Sequence, residues 1–392
     1  MAPAQADQPS GTRIEGLDAW RVLLMLGGLL LHGSFWQPSQ PLFTAIGMVS
    51  STFRMGSFFA ISGFVCGLSM RKLPHRQWLM RRFVQIGLPT LIGWGLLCPL
   101  IWLLAGLYPR APVPLPFDWH HIWFLAALLA YAPAAMLFDQ LDRRHAFIER
   151  FARSYCGRRS LVPMLLSVGT VSFILMAVTA SLVNAFASEA LMPMLYQARN
   201  ISAYLPVYLL GLGLARSTPL TSAVQRSWRS ALTIVAATAL LYSLWLLVAP
   251  TLGPTTQEKG GDLVATMAAS FCPPAAFALI FRTAIAVRQV SRLVRRLCEA
   301  SLTIYLLHLP LLLALNAMLA PIRLHPYLQY IIVVTAAGGL AYAAHVWIVR
   351  PVPLLLLLVN GRSSRNEQRS PSGVTDEPRH DAPLIPQPRY GN

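Results

Sequence analysis

Leu161–Ala187 reads LVPMLLSVGTVSFILMAVTASLVNAFA, 27 residues without one charged side chain. About 20 apolar residues carry an α-helix across the hydrocarbon core of a bilayer. No water is available there to satisfy backbone N–H and C=O groups, so such a run has to be helical. Residues 121–141 form a second run as clear as the first. The pattern extends over most of the chain. Hydrophobic residues make up 55% of the 392 and charged residues 12%, and the mean hydropathy is +0.52. A soluble domain carries roughly twice that share of charge. Disorder, a collagen repeat and a disulfide-rich secreted scaffold are excluded by the same composition.

Ten runs are long enough to span: 17–36, 43–70, 83–107, 121–141, 161–187, 201–216, 230–250, 263–286, 300–320 and 327–349. The sixth is short. The last either stops at 349 or continues through Leu354–Val359 past Pro351 and Pro353. The fold expected is all-α, a polytopic membrane protein of ten transmembrane helices. Residues 1–16 form a cytoplasmic N-terminal segment, 17–359 the membrane domain and 360–392 a disordered cytoplasmic tail rich in Ser, Arg, Pro and Asp. No cleavage site follows the first apolar run, which is expected to stay as a signal anchor.

The net charge of +17 suggests nucleic acid only until its placement is examined. Lys72 and Lys259 are the only lysines among 32 basic residues. Connectors on the side of the N-terminus hold 26 of the 32, and those on the other side hold Arg110, Arg199, Lys259 and Arg323. Arg21 and Arg54 lie inside spans. This asymmetry follows the positive-inside rule and places both termini in the cytoplasm. It accounts for the charge with membrane lipid as the partner and no nucleic acid. The five cysteines, Cys66, Cys98, Cys156, Cys272 and Cys298, have neither metal-ligand nor CxxC spacing, and no metal is expected.

The far-side connectors are short, so any chemistry belongs in the bilayer or at its edges. Ionisable groups inside spans cost roughly 2.5–3.5 kcal/mol each and mark function by default. Here they are Arg21, His32, Arg54, His308 and His345, of which His345 receives no role. In GLDAWRVLLMLGGLLLHGSFW, from Gly16, Asp18 and Arg21 are spaced to pair on one helix face. Arg21 and His32 are eleven residues apart, about 20° around the helix and about 16 Å along it. One face therefore presents an anion-binding cation toward the cytoplasm and a proton-transfer group further out. The alternative is a snorkelling arginine and a histidine bonded to a helix carbonyl. Arg54 demands a partner or a polar cavity. Ser57 and Ser62 lie near it, and Gly63-x3-Gly67 permits close helix approach; for these small residues packing is the competing explanation. His120, His121, Trp119 and Trp123 open the fourth span, either as an interfacial belt or as indoles on which a sugar stacks. Ser301, Tyr305 and His308 share one face of the ninth span, as a site or as a polar seam.

At these residues the sequence resembles the acyltransferase 3 family of integral-membrane acyltransferases, over about residues 14–350. LDAWR followed by His32 resembles the family's opening. FFAISGF at Phe58–Phe64, HIWFLAALLAY at His121–Tyr131 and SLTIYLLHLP at Ser301–Pro310 resemble three further segments, in the family's order. RRFVQIGLP departs from the usual arginine-rich run, keeping Arg81 and Arg82 but placing Gln85 where another base is common. The third and fourth motifs look closest to the branch that modifies periplasmic glucans. The resemblance implies a bacterial inner-membrane enzyme with no permanently bound cofactor. It would move an acyl group, acetyl or succinyl, from cytoplasmic acyl-CoA as co-substrate to a hydroxyl of an extracytoplasmic carbohydrate acceptor.

On that reading Arg21, Arg81 and Arg82 hold the anionic donor, and His32 is the general base. Arg54 or Tyr305 stabilises the oxyanion. Asp18, Ser62, Trp123, Ser301 and His308 complete the substrate contacts. Direct transfer and a covalent acyl-His32 relay both remain open. The rival reading is a transporter or flippase for a saccharide, which would also use buried cations and aromatics. Against it stand the lack of mid-span carboxylates and of an internal repeat.

Overall fold

The computed structural model describes residues 14–38, 40–107, 118–156, 161–188 and 192–362, and all regular structure within them is helical. Helix α1 covers Glu15–Phe35, α2 Pro41–Met70, α3 His75–Leu107 and α4 Trp123–His145. The short α5, Phe147–Cys156, precedes α6 at Val162–Phe186 and α7 at Met192–Arg216. The short α8, Thr218–Arg226, leads into α9 at Trp228–Val248, α10 at Pro254–Ala286 and α11 at Arg292–Leu319. Helix α12 is Pro326–Ala344 and α13 is Pro353–Asn360.

Among the described residues eight segments are long and apolar enough to cross a membrane: α2, α3, α4, α6, α9, α10, α11 and α12. The chain is an all-α, multi-pass membrane protein. The other two expected spans are α1 and α7, full-length helices of 21 and 25 residues that carry more polar side chains. Both are packed inside the bundle, α1 against α2, α10 and α11, and α7 against α2 and α6. The sixth run, expected to be short, is nine residues longer at its start, and α10 begins at Pro254 rather than 263. Hydropathy marks where apolar side chains stop, whereas backbone hydrogen bonding continues through the polar turns that follow. Residues 1–13, the expected far-side loop at 108–117 with Arg110, and the tail from 363 lie outside the described residues.

Hydrogen bonds at the two ends show that successive long helices alternate in direction. At the basic end Glu15 accepts from the Val290 backbone N–H and Arg282 donates to the Gln225 carbonyl. There Asp139, 1% exposed, takes His75 at 2.5 Å, Arg143 at 3.1 Å and Arg216. At the opposite end Gln37 and Gln329 both donate to Asn316 Oδ1 at 2.9 Å. In between, α2 and α7 touch backbone to backbone. A Cβ on Gly63 would lie 1.9 Å from the Tyr208 carbonyl oxygen, and one on Gly211 as close to that of Ala60. The Gly63 and Gly67 spacing is therefore a packing device.

The helical backbone loosens into three π turns, two within α3 at Phe83–Gly87 and Gly93–Leu97 and one after α12 at His345–Val349. Each ends two residues before a proline: Pro89, Pro99 and Pro351. Proline lacks the N–H that its turn requires, and its ring pushes against the carbonyl four residues back. A wider turn relieves both. After Pro351 the chain bends, so the last span does not run on through Leu354–Val359. Those residues belong to α13, and Asn360 and Gly361, expected to begin a free tail, are buried against the bundle.

Candidate active site

A cavity of about 300 Å³ runs inside the bundle between α1, α2, α3, α4 and α11. Its basic end is lined by Arg21, Arg82, Glu299, Asn360 and Arg362. Arg54, Ser62 and Ser301 follow, and His32, Tyr305 and His308 line it further from that end. The expected common face of α1 is thus the wall of one cavity.

Arg54 reaches this wall because α1 offers it glycine. Its Nε donates to Ser50 Oγ at 2.7 Å, its Cδ lies over Gly27 and its guanidinium over Gly28. A Cβ on Gly28 would stand 2.8 Å from Arg54 Nη1. At the basic end Arg21 pairs with Asp18 at 3.6 Å. Arg82 lies over the Trp78 ring, 5.7 Å from its centroid, and reaches Ser69 Oγ at 3.4 Å. Ser69 also accepts from Trp78 Nε1 at 2.9 Å.

The far end is built around α11. His308 Nδ1 lies 2.6 Å from the Tyr305 carbonyl oxygen and donates to it. That bond fixes the tautomer and leaves a lone pair on Nε2. Among the described residues this buried Nε2 has no hydrogen-bond partner. Pro310, inside the helix, withholds the N–H that would bond the Leu306 carbonyl. His121 Nε2 takes that carbonyl instead, at 3.3 Å, and the Tyr305 hydroxyl donates to the His121 carbonyl. The ring centroid of His308 is 5.2 Å from that of His32 and 4.9 Å from that of His121. Among the described residues no group of three or more His, Cys, Asp or Glu is placed to hold a metal ion. Next to this cluster, in the turn before α4, burial holds His120 below the usual imidazole range, partly opposed by Asp118 at 4.0 Å.

The structure brings eight of the expected site residues to one cavity: Arg21, His32, Arg54, Ser62, Arg82, Ser301, Tyr305 and His308. It leaves three outside its lining. Asp18 pairs with Arg21. Arg81 is exposed. Trp123 packs on Tyr204 and Phe59, at centroid distances of 6.3 and 5.9 Å. His121, expected at the membrane interface, is 4% exposed and belongs to the histidine cluster. The signal for it was Pro310, which frees a carbonyl on the facing helix. Glu299, Asn360 and Arg362 were missed because they line the cavity from positions that read as connector or tail, and Gln85, noted only as a departure from the arginine-rich run, lines it as well.

The bundle and its cavity define a multi-pass membrane protein with cationic groups at one end of an internal passage and imidazoles at the other. The family model described as an acyltransferase domain, acyltransferase 3, matches residues 14–350. The chain belongs to this family and is an acyltransferase. Neither the curated proteins nor the solved structures compared with it gave a match.

Proposed function

We propose that the protein takes an acetyl or succinyl group from acyl-CoA at its basic end and transfers it to a carbohydrate hydroxyl at the other end. The acceptor is a periplasmic glucan or a surface polysaccharide, and the chain crosses the bacterial inner membrane ten times with both termini in the cytoplasm. One observation carries this reading: a single cavity joins Arg21 and Arg82 to His32 and His308. Phosphates favour the guanidinium end, and a sugar hydroxyl needs the general base that imidazole supplies.

His32 takes the hydroxyl proton as the oxygen attacks the thioester carbonyl. Arg54 faces the developing oxyanion; the Tyr305 hydroxyl is already committed to the His121 carbonyl. Collapse of the intermediate breaks the C–S bond, and the proton held by His32 passes to the leaving thiolate. The lone pair of His308 Nε2, beside His32, stabilises the imidazolium formed between these steps.

Mass spectrometry of cell glycans with and without the gene tests this. Loss of an acyl mass shift on deletion is expected. An altered amount of glycan with no change in acyl content would contradict it and support transport.

A further inference from the structure

The family match ends at residue 350, yet two residues beyond it, Asn360 and Arg362, line the mouth of the cavity. Their placement is built, not incidental. Helix α13 ends with Gly361 at φ 59°, the left-handed conformation that glycine adopts at low cost. The Gly361 N–H reaches the Leu357 carbonyl at 2.8 Å, and the Arg362 N–H reaches that of Leu356 at 3.4 Å. This double capping fixes the backbone of Arg362 to the helix end. The turn lies directly on the π turn of α3: a Cβ on Gly361 would meet Gln85 Cα and its carbonyl oxygen at 2.3 Å. Asn360, 5% exposed, accepts from Thr303 Oγ1 at 3.1 Å, and His345 Nδ1 lies 2.9 Å from the same hydroxyl. Helices α3, α11 and α12 thus all grip the end of α13.

Arg362 itself is exposed at the mouth. At this end of the lining it joins Arg82 and Arg21, the latter paired with Asp18 from outside the lining, and Glu299 is the one carboxylate in the lining itself. A volume of about 300 Å³ lies at the small end of ligand pockets. It suits a thin pantetheine arm and a short acyl group, so a nucleotide attached to that arm stays outside, at the mouth. We infer that Arg362, presented by α13, is a donor-binding residue that engages the phosphates of the coenzyme A nucleotide together with Arg82 and Arg21. The inference rests on the acyl-CoA reading above. It makes α13, which lies beyond the residues matched to the family, a part of the donor site.

The test is equilibrium binding to the full-length protein in phosphatidylcholine nanodiscs, without anionic lipid. The probes are coenzyme A and pantetheine, which lacks the nucleotide. Wild type should bind coenzyme A. Arg362→Gln should weaken that binding about tenfold, as loss of one charge-assisted phosphate contact implies, and leave pantetheine binding unchanged. Arg362→Lys should recover part of the loss. Gly361→Ala, which lifts Arg362 off the mouth without changing its charge, should repeat the Gln result. Equal coenzyme A affinity in wild type and Arg362→Gln overturns the inference while leaving the acyl-CoA reading intact. An equal loss for both probes also overturns it, because it marks a structural role. If wild type binds no coenzyme A, the donor reading and the inference fall together.

Discussion

At the scale of single residues, the proposed transfer depends on which polar groups are held and which are left open. Among the described residues His32 makes no hydrogen bond, so its replacement removes an expensive polar group from the bilayer interior. His32→Ala should accumulate in the membrane like wild type while transfer falls about 10²–10⁴-fold, read by immunoblot and acyl content together. Near-normal acylation in a protein that is present would remove His32 as the base. Gly28 makes a separate prediction. A methyl group there meets Arg54 Nη1 at 2.8 Å, and this far end of a flexible side chain can move aside. Gly28→Ala should therefore fold, but with turnover reduced tenfold or more, roughly as the loss of an oxyanion donor reduces it. Unchanged turnover would place the oxyanion contact elsewhere. Arg21→Lys, which keeps charge but loses the planar fork, should raise the donor KM. Arg21, His32 and Arg54 were legible because a charge inside an apolar run needs a reason. His121 was not, because at the end of a run beside Trp119 and Trp123 it shares the composition of an interfacial belt.

Elements show why part of the site was hidden. A proline in an apolar run reads in sequence as a tolerated defect. In α11 its effect is specific: Pro310 removes one N–H, and the freed Leu306 carbonyl fixes a histidine from α4. Pro310→Ala restores that N–H, worth up to about 3 kcal/mol to the helix, and sets it in competition with His121. The expected result is an unchanged or higher thermal midpoint with lower turnover; equal turnover would mean that His121 needs no anchoring. The prolines after the three π turns could have been read in the same way, as could the glycines at the α2–α7 contact. Gly211→Leu should abolish accumulation, since its Cβ would fall on the Ala60 carbonyl. Gly95→Ala, with nothing within 4 Å of the added carbon, should accumulate normally. The extra turns of α7 and α10 were not legible, because a hydropathy window detects apolar thickness and the added start of α7 includes Gln197, Arg199 and Asn200.

At the scale of the whole molecule, the charge asymmetry and the alternation of the long helices describe the same arrangement. Basic connectors gather at the end where Asp139 ties α3, α4 and α7 together, and the amide cluster around Asn316 closes the other. A periplasm-active reporter fused near Lys259 should be active, and fusions near Arg153 or Arg292 silent; activity at Arg153 would reverse the sidedness. The proposed reaction carries an acyl group through the cavity from a donor on one side to an acceptor on the other. Proteoliposomes measure this directly, with radiolabelled acetyl-CoA or succinyl-CoA confined to the side of the basic end and glucan confined to the opposite side. Labelled glucan is expected with wild-type protein and none above background with His32→Ala. Labelling of the glucan only when donor and acceptor share a compartment would contradict it.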